Sequence, residues 1–139
     1  MRLTLTFIII SGISIPIITA LKMKSVGVNG TVICDGKPVN DAWIELYSER
    51  NAGKSNAVLA KTKTNEQGHF MIKGSSKTDM FDPQFTISHK CRTKLCTRRV
   101  FLRIPDKYFT LSSEPYEMYD IGVVDMKKKF LTEIKTCPT

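Results

Sequence analysis

Histidine is scarce in this chain, with two in 139 residues, His69 and His89. That shortage leaves little with which to build a histidine metal site or a histidine-based triad. Tryptophan occurs once, at Trp43. No C-x-x-C pair is present, no serine sits in a nucleophile-elbow pattern, and no glycine-rich phosphate loop appears. No long stretch keeps the 3.6-residue period of an amphipathic helix, although Asp106 to Leu111 could form one or two helical turns. What the chain does have is positive charge, with 21 Lys and Arg against 13 Asp and Glu. Its hydrophobic content of 42% suffices for a core, and its length suits one domain.

The first residues read as a targeting segment. Met1 and Arg2 are followed by the apolar run Leu3 to Ile18 and then Thr19-Ala20. We expect a secretory signal peptide over residues 1–20, cleaved after Ala20, and a mature domain over 21–139. An uncleaved membrane anchor fits less well. The run is near the lower length limit for a spanning helix, and Ser11, Gly12, Ser14 and Pro16 interrupt it. The expected destination is extracellular, with or without attachment to a cell surface, and with no transmembrane span left after cleavage.

In an oxidising compartment Cys34, Cys91, Cys96 and Cys137 are expected to form two disulfides. Three pairings are possible. Reach favours Cys91 with Cys96, close together in HKCRTKLCTRR, which leaves Cys34 for Cys137. A zinc site is disfavoured because no pair has the close ligand spacing. Nothing in the sequence calls for a cofactor or a metal.

Short runs rich in β-branched and aromatic residues alternate with Gly, Pro, Asn and Ser, which is a strand pattern. Val28, Val32 and Cys34 share one face of the first run, and Asp35-Gly36-Lys37-Pro38 turns the chain. Ala42, Ile44 and Leu46 face inward in the next, with Trp43, Glu45, Tyr47 and Glu49 opposite. Asn51 to Asn56 is a polar loop, followed by a run over Val58 to Thr64. Asn65-Glu66-Gln67-Gly68 makes a turn into Phe70, Ile72 and Gly74. Phe85, Ile87, His89 and Cys91 share a face, as do Val100, Leu102 and Ile104. Tyr119 to Val124 is the last strong run, with a bulge suggested at Gly122. The expected architecture is all-β, a single sandwich of about seven strands with at most one short helix.

Five segments in this order carry a family resemblance: VNGTVICDGKPVNDAWIELY, TNEQGHF, DPQFTISHKC, CTRRVFLRIPDKY and YDIGVVDM. The chain resembles the nematode transthyretin-like family from about Val26 to Met126. Asn65 departs from it, because relatives commonly carry Asp there. The resemblance implies secretion and a disulfide-stabilised, prealbumin-like sandwich. It does not imply a defined activity.

Related 5-hydroxyisourate hydrolases use paired His, an Arg and a C-terminal Tyr-Arg-Gly-Ser. This chain ends in EIKTCPT, so we expect no enzyme. His69 is expected in solvent, and His89 toward the core as a hydrogen-bonded residue beside Cys91. Lys90, Arg92, Lys94, Arg98, Arg99 and Arg103 cluster along one hairpin, and Lys127, Lys128 and Lys129 follow the last strand. They make a candidate patch for an anionic glycan, lipid head groups or an acidic protein surface. A solvated edge that discourages strand pairing is the plainer account. Nucleic acid is not expected. Trp43 and Tyr47 form a candidate aromatic contact for a protein partner, and Asn29-Gly30-Thr31 is an N-glycosylation acceptor sequence. The favoured function is a non-enzymatic extracellular binding or signalling module. Carriage of a small hydrophobic ligand in an oligomer channel is the alternative, resting on fold analogy alone.

Overall fold

A computed structural model describes residues 22–48, 57–77 and 81–139, together with positions 4, 11 and 12. All but three positions of the expected signal peptide, and the expected polar loop at 51–56, lie outside the described residues.

Alternation of apolar and polar residues lays the described residues out as nine strands. They are β1 (Met23–Cys34), β2 (Lys37–Pro38), β3 (Trp43–Ser48), β4 (Ala57–Lys63), β5 (His69–Lys77), β6 (Pro83–His89), β7 (Thr97–Arg103), β8 (Tyr119–Asp125) and β9 (Glu133–Thr136). Among the described residues the one helical element is a single 3₁₀ turn at Asp106–Tyr108, inside the stretch expected to hold one. In the first sheet β1 pairs antiparallel with β2 and β5, and parallel with β8. The second is antiparallel throughout, in the order β4-β3-β6-β7-β9.

The sheets bury their inward rows against each other. Val26, Val28, Val32, Phe70 and Ile72 from the first meet Ile44, Leu46, Phe85, Ile87 and Val100 from the second, capped by Met126. These are the faces the alternation predicts. Pairing slips between Asn29 and Thr31, where β8 spends an extra residue, and Gly122 takes a positive φ of 69° at that bulge. At one end of the sandwich Phe81 meets Phe109 edge-on, and Tyr108 stacks on Tyr119.

The turn between β4 and β5 shows why its residues are what they are. Asn65 Oδ1 accepts from the amides of Gln67 and His69, and Asn65 O accepts from Gly68 N. A carboxylate would accept the same two bonds, so Asn does the work of Asp here. Gly68 sits at φ 76°, and an added Cβ would lie 2.3 Å from Val32 O. Only glycine fits.

The disulfides correct the expected pairing. Cys34 is joined to Cys91, and Cys96 to Cys137. Strand geometry gives the reason. Cys91 continues the inward row of Phe85, Ile87 and His89, and so meets Cys34 at the end of β1 in the facing sheet. Thr97 pairs with Thr136 across β7 and β9, which sets Cys96 directly opposite Cys137 at a Cα separation of 4.1 Å. One bridge ties sheet to sheet, and the other clamps the edge strand.

Candidate functional site: a basic end and an adjoining cleft

The end of the sandwich at the Cys34–Cys91 bridge gathers three segments: the β1–β2 turn, the 90–96 corner and the turn after β8. Asp35, at a positive φ of 51°, accepts a forked pair of bonds from Arg92 at 3.1 and 2.8 Å. Asp35 N donates to Asp125 Oδ1, and Lys127 Nζ lies 3.8 Å from the same carboxylate. Met126 N donates to Ile33 O. Arg92 holds the Asp35 carboxyl below its ordinary range, chiefly through that hydrogen bond. With both carboxylates engaged, Lys37, Lys90, Lys94, Lys127, Lys128 and Lys129 stand exposed around them. At the far end cations and carboxylates are mixed, with Lys107 and Arg103 among Asp82, Asp106, Glu114 and Glu117.

This arrangement divides the run read as one patch along a hairpin. Lys90, Arg92 and Lys94 lie at the basic end, where the structure adds Lys127 to Lys129. Arg98 is a correction: it is buried, not part of any surface. It has the parity of Val100 and Leu102, so β7 turns it inward. Its guanidinium uses all five N–H groups. Nε and Nη2 grip the Glu133 carboxylate, Nη1 donates to Cys91 O and Met126 O, and Nη2 also donates to Lys128 O. Arg99 and Arg103 point the other way, onto the outer face of the second sheet. There they pair with Glu45 and Asp82 at 3.3 Å each, away from the basic end.

The two aromatic candidates also part company. Trp43 is 49% exposed, with Lys63 Nζ 4.5 Å from its ring centroid. Tyr47 shares the outer face but is buried, its hydroxyl donating to Gln84 Oε1 at 3.0 Å. It is therefore no surface contact, because neighbours on β4 and β6 cover it. Asn29 lies half-buried on central strand β1, between Met71 of β5 and Asp120 of β8.

Beside the basic end an open cleft of ≈ 650 Å³ runs from the Cys34–Cys91 bridge to Trp43. Its wall at Val39–Ala42 is pinned by Thr64, whose hydroxyl donates to Val39 O and accepts from Ala42 N. Lys63, Ser88, Lys90 and Thr97 line the rest. Lys37, Lys63, Asp35 and Glu133 were not singled out from sequence. Only long-range pairing brings them into play, and no local signal marks them.

His69 is exposed at its turn, and His89 is buried under the bridge. His89 Nδ1 accepts from Cys91 N at 3.0 Å, which puts the neutral ring's proton on Nε2, for which no partner is found among the described residues. Burial first, and the Arg98 charge second, lower its pKa to about 4, against a weaker opposing pull from Glu133. The unfolded chain therefore takes this proton first. Stability from the neutral ring is complete above pH 6.5 and drains away as pH falls toward 4. His89→Asn, whose Oδ1 can replace Nδ1, is expected to flatten that limb, worth about 2–3 kcal/mol. Urea midpoints measured from pH 7 to 4 decide it; an unchanged slope refutes the assignment. Among the described residues no group of three or more His, Cys, Asp or Glu is placed to hold a metal, and no helix is long and apolar enough to cross a membrane.

The model of the TTR-52 transthyretin-like family matches residues 29–105, more than half of the chain. The chain belongs to the transthyretin-like family. Among its relatives, transthyretin-like protein 5 of Caenorhabditis elegans is 32% identical over 82% of this chain and 84% of its own. Transthyretin-like protein 33 of the same organism is 30% identical over 85% of each. Among solved structures, a 9R-lipoxygenase from Cyanothece overlays on 73% of this chain and 16% of its own, at 18% identity and a TM-score of 0.42, too slight an overlap to carry meaning. In this transthyretin-like sandwich the end stapled by Cys34–Cys91 carries exposed Lys37, Lys90, Lys94 and Lys127 to Lys129, with Asp41 and Glu66 exposed on the neighbouring turns.

Proposed function

We propose that this protein is a secreted, non-enzymatic binding module that docks its basic end against an anionic extracellular partner. One observation carries the reading. The two carboxylates within the end, Asp35 and Asp125, are engaged by Arg92 and Lys127, and among the described residues Lys37, Lys90, Lys94, Lys128 and Lys129 form no ion pair. Concentrated charge on loops held by a bridge and a core ion pair is pre-ordered, which lowers the cost of binding. The two disulfides and the transthyretin-like relatives support an extracellular location.

Retention on heparin resin tests the reading. Reversing Lys127, Lys128 and Lys129 to Glu should lower the eluting salt concentration markedly, because each lost cation removes released counterions. Reversing Arg99 and Arg103 should change it little, and the opposite ranking would sink the proposal. Carriage of a hydrophobic ligand in an oligomer channel requires more than one copy, and a monomer on size exclusion removes it.

Secretion further predicts a product beginning at Leu21. If Asn29 is glycosylated, it also predicts a mass that drops on enzymatic deglycosylation. Intact mass measurement reads both, and an unprocessed Met1 would contradict the signal peptide.

A further inference from the structure

We propose that the cleft between Trp43 and the Cys34–Cys91 bridge is a subsite for an acidic saccharide residue, one bearing a carboxylate or sulfate. The inference rests on the basic-end reading and extends it to a ligand class.

Three features point the same way. Trp43 is a large, rigid, half-exposed ring at the mouth of a concave site, which suits the flat C–H face of a pyranose. Lys63 lies over that ring, and Lys90 lines the far side. Among the described residues neither lysine has an ion-pair partner, so both are available as counter-charges. The walls are mixed rather than apolar. Asn40, Ser88 and Thr97 offer hydroxyl and amide groups to sugar hydroxyls, Val39 and Ala42 offer surface to ring carbons, and the one lining carboxylate, Asp41, is outnumbered by Lys63 and Lys90. A lipophilic ligand would leave those polar groups and both cations unmatched, at a cost in desolvation. A neutral sugar would leave the cations unused.

The cleft is also held ready. Thr64 fixes its wall, and the disulfide fixes its floor, so little order is lost on binding. Its lining includes Pro38, the chain neighbour of Lys37, so a longer anionic glycan seated in the cleft can continue toward the basic end.

Trp43 is the sole tryptophan, which makes it the reporter. The mature protein is titrated with a heparin-derived sulfated tetrasaccharide and with its desulfated counterpart, following tryptophan emission and, in parallel, binding heat. The expected result is a saturable emission change with the sulfated sugar, and affinity lowered about tenfold or more in Lys63→Ala/Lys90→Ala. By calorimetry Trp43→Ala should lose affinity and Trp43→Phe should keep most of it. That contrast separates stacking from a folding defect, which circular dichroism also reads. If the sulfated sugar binds while Trp43 emission stays unchanged, the cleft is not the subsite, and only the basic-end reading survives. The same holds if binding is lost in the Lys127 to Lys129 reversal but intact in the cleft variants. Equal affinity for the desulfated sugar overturns the acidic requirement. Absence of tetrasaccharide binding together with absence of heparin retention overturns both readings.

Discussion

Arg98→Met is expected to cost the fold about 3–5 kcal/mol, a large part of the stability of a domain this size. The reason lies in what the guanidinium holds. Its removal leaves Glu133 ionised in a pocket where its side chain is 7% exposed, and frees three carbonyls, those of Cys91, Met126 and Lys128. A buried ion pair can often be exchanged for apolar residues at little cost. Here it cannot, because Arg98→Met/Glu133→Met still orphans the three carbonyls. Arg98→Lys should rescue little, since an ammonium cannot span the fork and the carbonyls together. Glu133→Gln should cost less, about 1–3 kcal/mol, because one amide oxygen still accepts. Urea unfolding of the four variants gives the ranking. A loss below about 1 kcal/mol for Arg98→Met would mean that the pair behaves as an exposed one.

The second large effect belongs to the bridges. Replacing Cys96 and Cys137 with Ser opens a closure across a separation of 41 residues, worth about 4 kcal/mol in the chain-entropy description. Cys34–Cys91 spans 57 and should be worth about the same by that count. The consequences differ in kind. Strand β9 has four residues and one neighbour, so without its clamp it should fray and take Glu133 away from Arg98. Loss of Cys96–Cys137 and loss of Arg98 should then be less than additive. A double-mutant cycle reads that coupling, and strict additivity would refute it. Non-reducing peptide mapping should recover Cys34 linked to Cys91 and Cys96 linked to Cys137.

Most of the sandwich was legible in the sequence because alternation reports which face of a strand meets a core. Val28 and Val32, Ile44 and Leu46, Phe85 and Ile87 all declared themselves in this way. Strand β9 did not, because EIKT is short, exposed and stabilised by its neighbour more than by its own pattern. The cysteine pairing was misjudged for a related reason. Distance along the chain favoured Cys91 with Cys96, whereas the parity of Cys91 already aimed it across the sandwich. Arg98 carried the same hidden signal, since it shares the parity of Val100 and Leu102. Reading charge by position in the chain, rather than by strand face, merged three groups that the fold keeps apart. The cleft itself was beyond reach, since Trp43, Lys63 and Lys90 come from different strands and turns.

The clamp on β9 also has a bearing on the order of oxidation during synthesis. Cys34 and Cys91 are both available once the ribosome has passed the β6 corner, whereas Cys96 must wait a further 41 residues for its partner. Through that interval a nucleophilic thiol sits close to a newly formed bridge that it can attack by exchange. The nascent protein therefore has a built-in opportunity to scramble Cys91 onto Cys96, the short-range pairing that chain proximity favours. Arrival of strand β9 ends it by withdrawing the attacking thiol, so oxidative fidelity in this sandwich depends on the docking of its outermost strand.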